Sequence, residues 1–110
     1  MKKFFVLIGV LLVSLALNSQ KIYKVNYEYQ ADIKVYIVNY EYQADLCVRF
    51  VDYEYQANKD GFWYMVKYEY QADKKVYFVN YEYQADLKIY IVDYDFQAGW
   101  KNKQKIHLLH

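Results

Sequence analysis

The sequence predicts an all-β domain wound from about six 13-residue copies of one unit, and three observations carry that prediction. The hexapeptide Tyr-Glu-Tyr-Gln-Ala-Asp runs from Tyr27 to Asp32, returns unchanged from Tyr40, Tyr68 and Tyr81, and recurs with edits from Tyr53 and Tyr94. Self-similarity at a short fixed period marks a repeat architecture. Between the hexapeptides apolar and polar residues alternate, the period-two signal of a half-buried strand. The composition agrees: there is no proline and no threonine, and sixteen residues are tyrosine, a bias that suits pleated surfaces.

From the N-terminus, residues 1–20 read as an export signal. Lys2 and Lys3 form a basic start, Phe4 to Leu17 an apolar run, and Ser14-Leu15-Ala16 or Ser19-Gln20 offer small residues for cleavage. The run is shorter than the ~20 apolar residues of a spanning helix. The mature chain, residues 21–110, is therefore expected to be one β-repeat domain with a basic C-terminal tail and no membrane span. Its expected location is exported: periplasmic, envelope-associated or secreted. The formal charge of +1 falls to −1 without Lys2 and Lys3, which argues against nucleic acid as a partner. Cys47 is the only cysteine, so it is either a tolerated thiol or an intermolecular link.

Numbering each copy from the first tyrosine of its hexapeptide gives thirteen columns. Column nine holds Ile22, Val35, Val48, Trp63, Val76 and Ile89; column twelve is valine in every copy, from Val25 to Val92. Two strands per copy are expected, near columns one to five and seven to twelve, with bends at columns six and thirteen, where Asp and Asn tolerate turns. Because 13 is odd, a bend or bulge must reset the inward face in each copy. Column twelve strains this scheme, since an invariant valine looks buried while strict alternation turns it outward. The third copy inserts two residues in Asn58-Lys59-Asp60-Gly61, and Asp-Gly is a turn signal, which places column six at an exposed corner.

Two architectures fit. In a solenoid-like coil, equal columns of successive copies would stack about 4.8 Å apart, so that Gln30, Gln43, Gln56, Gln71, Gln84 and Gln97 form an amide ladder. The alternative is an antiparallel β-meander, which normally wants glycine in its tight turns, and five of the six corners lack it. The coil is favoured.

The Tyr-x-Gln-Ala-Asp repeat, the Lys-Val-Tyr-Ile-Val segments between copies and the ending Gln97-Ala98-Gly99-Trp100-Lys101-Asn102-Lys103 together resemble a family of small bacterial repeat proteins of uncharacterised function. The resemblance spans Lys21 to His110. It implies a compact, wound all-β fold whose chain threads into a many-crossing torus knot, and it brings no catalytic residues.

The letters themselves offer little for catalysis. His107 and His110 both lie in the tail, Ser19 is the last serine, and no glycine-rich phosphate loop is present, so nucleophilic triads and nucleotide chemistry are not expected. The carboxylates of column two (Glu28, Glu41, Glu54, Glu69, Glu82 and Asp95) and of column six (Asp32, Asp45, Asp73 and Asp86) could form acidic rows that attract calcium. The blander expectation is a solvated face offset by Lys34, Lys75 and Lys88. Identical carboxylates do not divide into the acid and base of a glycosidase; no enzyme activity, metal or cofactor is expected. Column ten carries Tyr23, Tyr36, Arg49, Tyr64, Tyr77 and Tyr90, and its arginine suggests a face toward water. A row of rings there could grip a glycan or a protein, or serve only as a cross-strand ladder. Without threonine there is no regular hydroxyl-and-methyl array for ice. The leading expectation is an exported, non-catalytic structural or recognition protein. The alternative is a self-assembling envelope or stability component, a homo-oligomer with no small ligand. The tail from Lys101 to His110 is expected to cap one end.

Overall fold

The computed structural model of the protein describes residues 20–110. The segment read as an export signal lies outside the described residues, except for Gln20. Among the described residues no helix is long and apolar enough to cross a membrane.

Columns seven to eleven form strands: β1 (Lys21–Lys24), β2 (Ile33–Ile37), β3 (Leu46–Phe50), β4 (Phe62–Met65), β5 (Lys74–Phe78) and β6 (Leu87–Ile91), followed by a short β7 (Gly99–Trp100). Columns one to five are not strands, contrary to expectation. The hexapeptide makes a single 3₁₀ turn in each copy, at Glu28–Gln30, Glu41–Gln43, Glu54–Gln56, Glu69–Gln71, Glu82–Gln84 and Asp95–Gln97. In each, the Gln N–H donates to the column-one tyrosine carbonyl and the Ala N–H to the column-two carbonyl, at 3.0–3.2 Å. These bonds are made within the segment rather than to a neighbouring strand, and in the third copy the Ala57 carbonyl also accepts the Gln20 N–H at 3.1 Å.

All pairings among β1 to β6 are parallel, which rules out the meander. The ring runs β4-β1-β5-β2-β6-β3, and a β3–β4 pairing closes it into a barrel. β7 lies antiparallel against Leu46 and Cys47 at the start of β3, while β4 takes the end of the same strand, at Arg49 and Phe50. On the seven places β4-β1-β5-β2-β6-β3-β7 the chain advances two places with every copy. Ring neighbours are consequently copies three or four apart in the chain, except for β3 and β4. The chain is wound, as expected, but apart from β3 and β4 successive copies do not stack, and the glutamine ladder does not form. Gln56, Gln71 and Gln97 instead accept the N–H of the tyrosine that opens their own turn, at 2.9–3.3 Å.

Adjacent strands are offset by two columns: Ile33 faces Val76, and Val35 faces Leu87. A two-residue step keeps every side chain on its face, where a one-residue step would turn the core outward. Two residues at each of six interfaces accumulate to a shear of twelve. That is twice the shear per strand of an eight-stranded barrel of shear eight, whose strands tilt about 36°, so these strands are tilted more steeply.

Columns seven and nine point inward. Ile22, Ile33, Val35, Leu46, Val48, Trp63, Val76, Leu87 and Ile89 have essentially no exposed surface, and each contributes roughly 1.5–3 kcal/mol relative to an exposed position. Phe50, Met65 and Phe78 of column eleven pack against this core. Trp100 with Leu108 and Leu109 of the tail, whose 3₁₀ segment is Lys103–Leu109, also packs against it, so the tail caps the barrel. Column twelve marks where the phase resets. The N–H of Val25, Val38, Val51, Val66, Val79 and Val92 donates to the column-nine carbonyl of a neighbouring strand at 2.8–2.9 Å, and the chain then leaves the barrel to cross back over its outside.

Column six locks the register. The backbone N–H and a carboxylate oxygen of Asp32 hold the carbonyl and the N–H of Lys75; Asp45 does the same to Lys88, Asp73 to Lys21 and Asp86 to Lys34, all at 2.7–3.0 Å. Four consecutive interfaces are clamped in this way. The seam around β4 uses different chemistry. Gln20, buried at the head of β1, donates from Nε2 to Asp60 Oδ1 at 2.7 Å and accepts from Trp63 Nε1 at 2.8 Å and from the Gly61 N–H at 3.2 Å. Asp60 also accepts from Trp100 Nε1 at 2.6 Å and meets His110 Nε2 at 2.8 Å. The two-residue insertion thus joins both ends of the domain at the seam. Column six is exposed at Asp32 and Asp73, but Asp45 is buried, so the expected solvent-facing corner holds only in part.

Candidate recognition surface

A parallel barrel must carry each connection from the foot of one strand to the head of the next, and here the connections run over the outside. The tyrosine that opens each turn is extended, with φ between −133° and −122°, and the turn that follows brings columns one and three side by side. Tyr27 stacks on Tyr29, Tyr40 on Tyr42, Tyr53 on Tyr55, Tyr68 on Tyr70, Tyr81 on Tyr83 and Tyr94 on Phe96. Their centroids lie 5.8–6.0 Å apart and the planes diverge by only 12–19°. These twelve rings are 58–85% exposed.

In each copy the residue between the two rings in sequence is a carboxylate, and each of these has a basic partner. Glu28, Glu69 and Glu82 face Lys34, Lys75 and Lys88 of their own copies at 3.4 Å. Where column eight is Cys47 or Phe62, a distant base substitutes: Lys101 pairs with Glu41 at 3.2 Å and Lys21 with Glu54 at 3.3 Å. Lys101 being engaged elsewhere, Asp95 has Arg49 Nε at 3.5 Å. Each of the six column-two carboxylates therefore has a cation within 3.5 Å, and no uncompensated acidic row forms. Among the described residues no group of three or more His, Cys, Asp or Glu side chains could hold a metal ion.

Column ten is placed differently from its expected position facing water. Tyr23, Tyr36, Tyr64, Tyr77 and Tyr90 are half-buried, as is Arg49, because the strands that carry them lie beneath the returning turns. Arg49 is no marker of free solvent: its Nη1 donates to the Phe50 carbonyl at 2.6 Å. Tyr64 of this column lines a cleft of about 340 Å³ together with Tyr68 and Tyr70. The freely displayed rings are those of the hexapeptide. A signal for them was present, since core columns seven and nine are mainly aliphatic whereas columns one and three are tyrosine, whose hydroxyl needs a partner when buried. Cys47 is fully buried, which closes it to intermolecular linkage in the folded state. Burial, and then the neighbouring Glu41, push its pKa up.

Barrel, winding and display define a class: a small wound β barrel that buries aliphatic columns and carries aromatic turns outside. The chain matches the 7(1) septoil knot domain over residues 19–101 and belongs to that family. A path that advances two places round a seven-place ring traces a seven-crossing torus curve, which is the topology that description states. No curated protein and no solved structure matches the chain.

Proposed function

We propose that this is an exported, non-catalytic recognition protein whose hexapeptide turns hold a glycan. One observation carries the reading: a fold that leaves its aliphatic core with essentially no exposed surface keeps twelve large rings on the outside, in six near-parallel pairs. An isolated barrel gains almost nothing from an exposed ring, and contiguous exposed apolar surface marks interaction sites. Hydroxylated rings next to Glu, Gln and Lys suit a ligand that presents both C–H faces and hydroxyls, as sugars do. A protein partner would use the same surface. Of the column-ten tyrosines, Tyr64 contributes through the cleft it shares with Tyr68 and Tyr70.

The test is affinity electrophoresis of the full chain through gels cast with soluble polysaccharides, together with a glycan array and a solution mass measurement. Retardation of a monomer by at least one polysaccharide supports the reading. A homo-oligomer that ignores every glycan would favour the assembly alternative, and a monomer that ignores every glycan would refute glycan recognition.

A further inference from the structure

The cleft at Tyr64, Tyr68 and Tyr70 carries a positive charge in column thirteen, where the other copies are neutral or negative. Column thirteen is Asn26, Asn39, Asp52, Asn80 and Asp93 in five copies, and Lys67 in the remaining one. The fold does not call for that lysine: it is exposed, and among the described residues its side chain has neither an ion pair nor a hydrogen bond. It stands instead in the lining of the cleft, with the Tyr68–Tyr70 stack, 5.8 Å between centroids and 13° between planes. Glu54 is the one carboxylate in that lining, and Lys21 Nζ holds it at 3.3 Å. The cleft therefore carries one uncompensated positive charge beside two near-parallel rings. Its volume of about 340 Å³ falls at the small end of ligand pockets, roughly 300–1,000 Å³, which fits a short length of sugar chain.

We infer that this cleft takes an acidic saccharide unit of the uronic acid type. The Tyr68–Tyr70 pair meets the C–H face of the sugar and the Lys67 ammonium meets its carboxylate. The inference rests on the glycan reading above and adds the ligand's charge and place. The test titrates the full chain with oligogalacturonate and with a neutral cello-oligosaccharide of equal length, using the parent, Lys67→Asn and Lys103→Asn. Lys67→Asn installs a residue that column thirteen already uses, so the fold should tolerate it, and Lys103→Asn removes the same charge from the tail. The expected result is tighter binding of the acidic chain, weakened on the order of fivefold by Lys67→Asn, the scale of a single exposed ion pair, with neutral binding unchanged and Lys103→Asn without effect. If acidic and neutral chains bind alike, or if both asparagine variants cost the same, the inference falls while glycan recognition stands. If neither chain binds any variant, the inference falls too, and the polysaccharide gels decide separately whether glycan recognition survives.

Discussion

Gly61 has a φ of +93°, and a Cβ there would lie 2.9 Å from the Cys47 carbonyl oxygen and 3.0 Å from the Gly99 N–H nitrogen. Both obstacles are backbone, at the seam where β3, β4 and β7 meet. Gly61→Ala is expected to cost about 1–3 kcal/mol or more from the left-handed conformation alone, read as a lower denaturant midpoint. Asp45 is the most heavily used of the column-six aspartates, since it clamps Lys88 and also accepts from Asn102 Nδ2 at 3.2 Å. Asp45→Ala should cost about 1–3 kcal/mol and exceed the loss at exposed Asp32, measured in the same way. The raised pKa of Cys47 gives a pH signature. The folded state holds the thiol proton more tightly than the unfolded chain does, so above the ordinary thiol pKa of about 8.5 the unfolded chain deprotonates first and stability falls as pH rises. That slope should be absent in Cys47→Ala, and native Cys47 should resist alkylation. The Asp-Gly turn was legible in the letters. The clamps were not, because a carboxylate bonded to a backbone N–H dozens of residues away leaves no local pattern.

The strands of columns seven to eleven were legible because one of their faces is aliphatic in nearly every copy. The hexapeptide was misread because period-two alternation is the same whether Tyr-x-Tyr lies in a strand or in an extended residue followed by a 3₁₀ turn; what distinguishes them is where the backbone hydrogen bonds go. The insertion was recognised as a turn, but its task is visible only in three dimensions. Asp60 gathers Gln20, Trp100 and His110 where the aspartate clamps stop. Deleting Lys59 and Asp60 would restore the 13-residue period and still open the barrel seam. The expected outcome is a less cooperative unfolding transition with red-shifted Trp63 and Trp100 emission; an unshifted spectrum with the parent midpoint would show that the seam does not depend on the insertion.

At the scale of the whole molecule, winding was legible from the repeat and ring order was not, since the copies are too alike for any one to specify its neighbour. The clamps join residues 43 or 52 positions apart, and folds dominated by distant contacts form slowly, in milliseconds to seconds for all-β domains. Threading the chain twice round the ring adds to that, so refolding should lie at or beyond the slow end, and unfolding and refolding curves should coincide only after long equilibration. The winding also accounts for the display: β1 to β6 all run one way, so the connections between them cross the outside, and the tyrosine pairs travel with them. Exposed rings should be nearly neutral for stability, with Tyr83→Ala changing it by no more than about 0.5 kcal/mol. The most direct measurement replaces Tyr29, Tyr42, Tyr55, Tyr70, Tyr83 and Phe96 together with serine, and compares cooperative unfolding with migration through polysaccharide gels. A display surface predicts a variant that still unfolds cooperatively but migrates as in plain gel, while the parent is retarded. A parent that is never retarded, or a variant retarded as strongly as the parent, would contradict it.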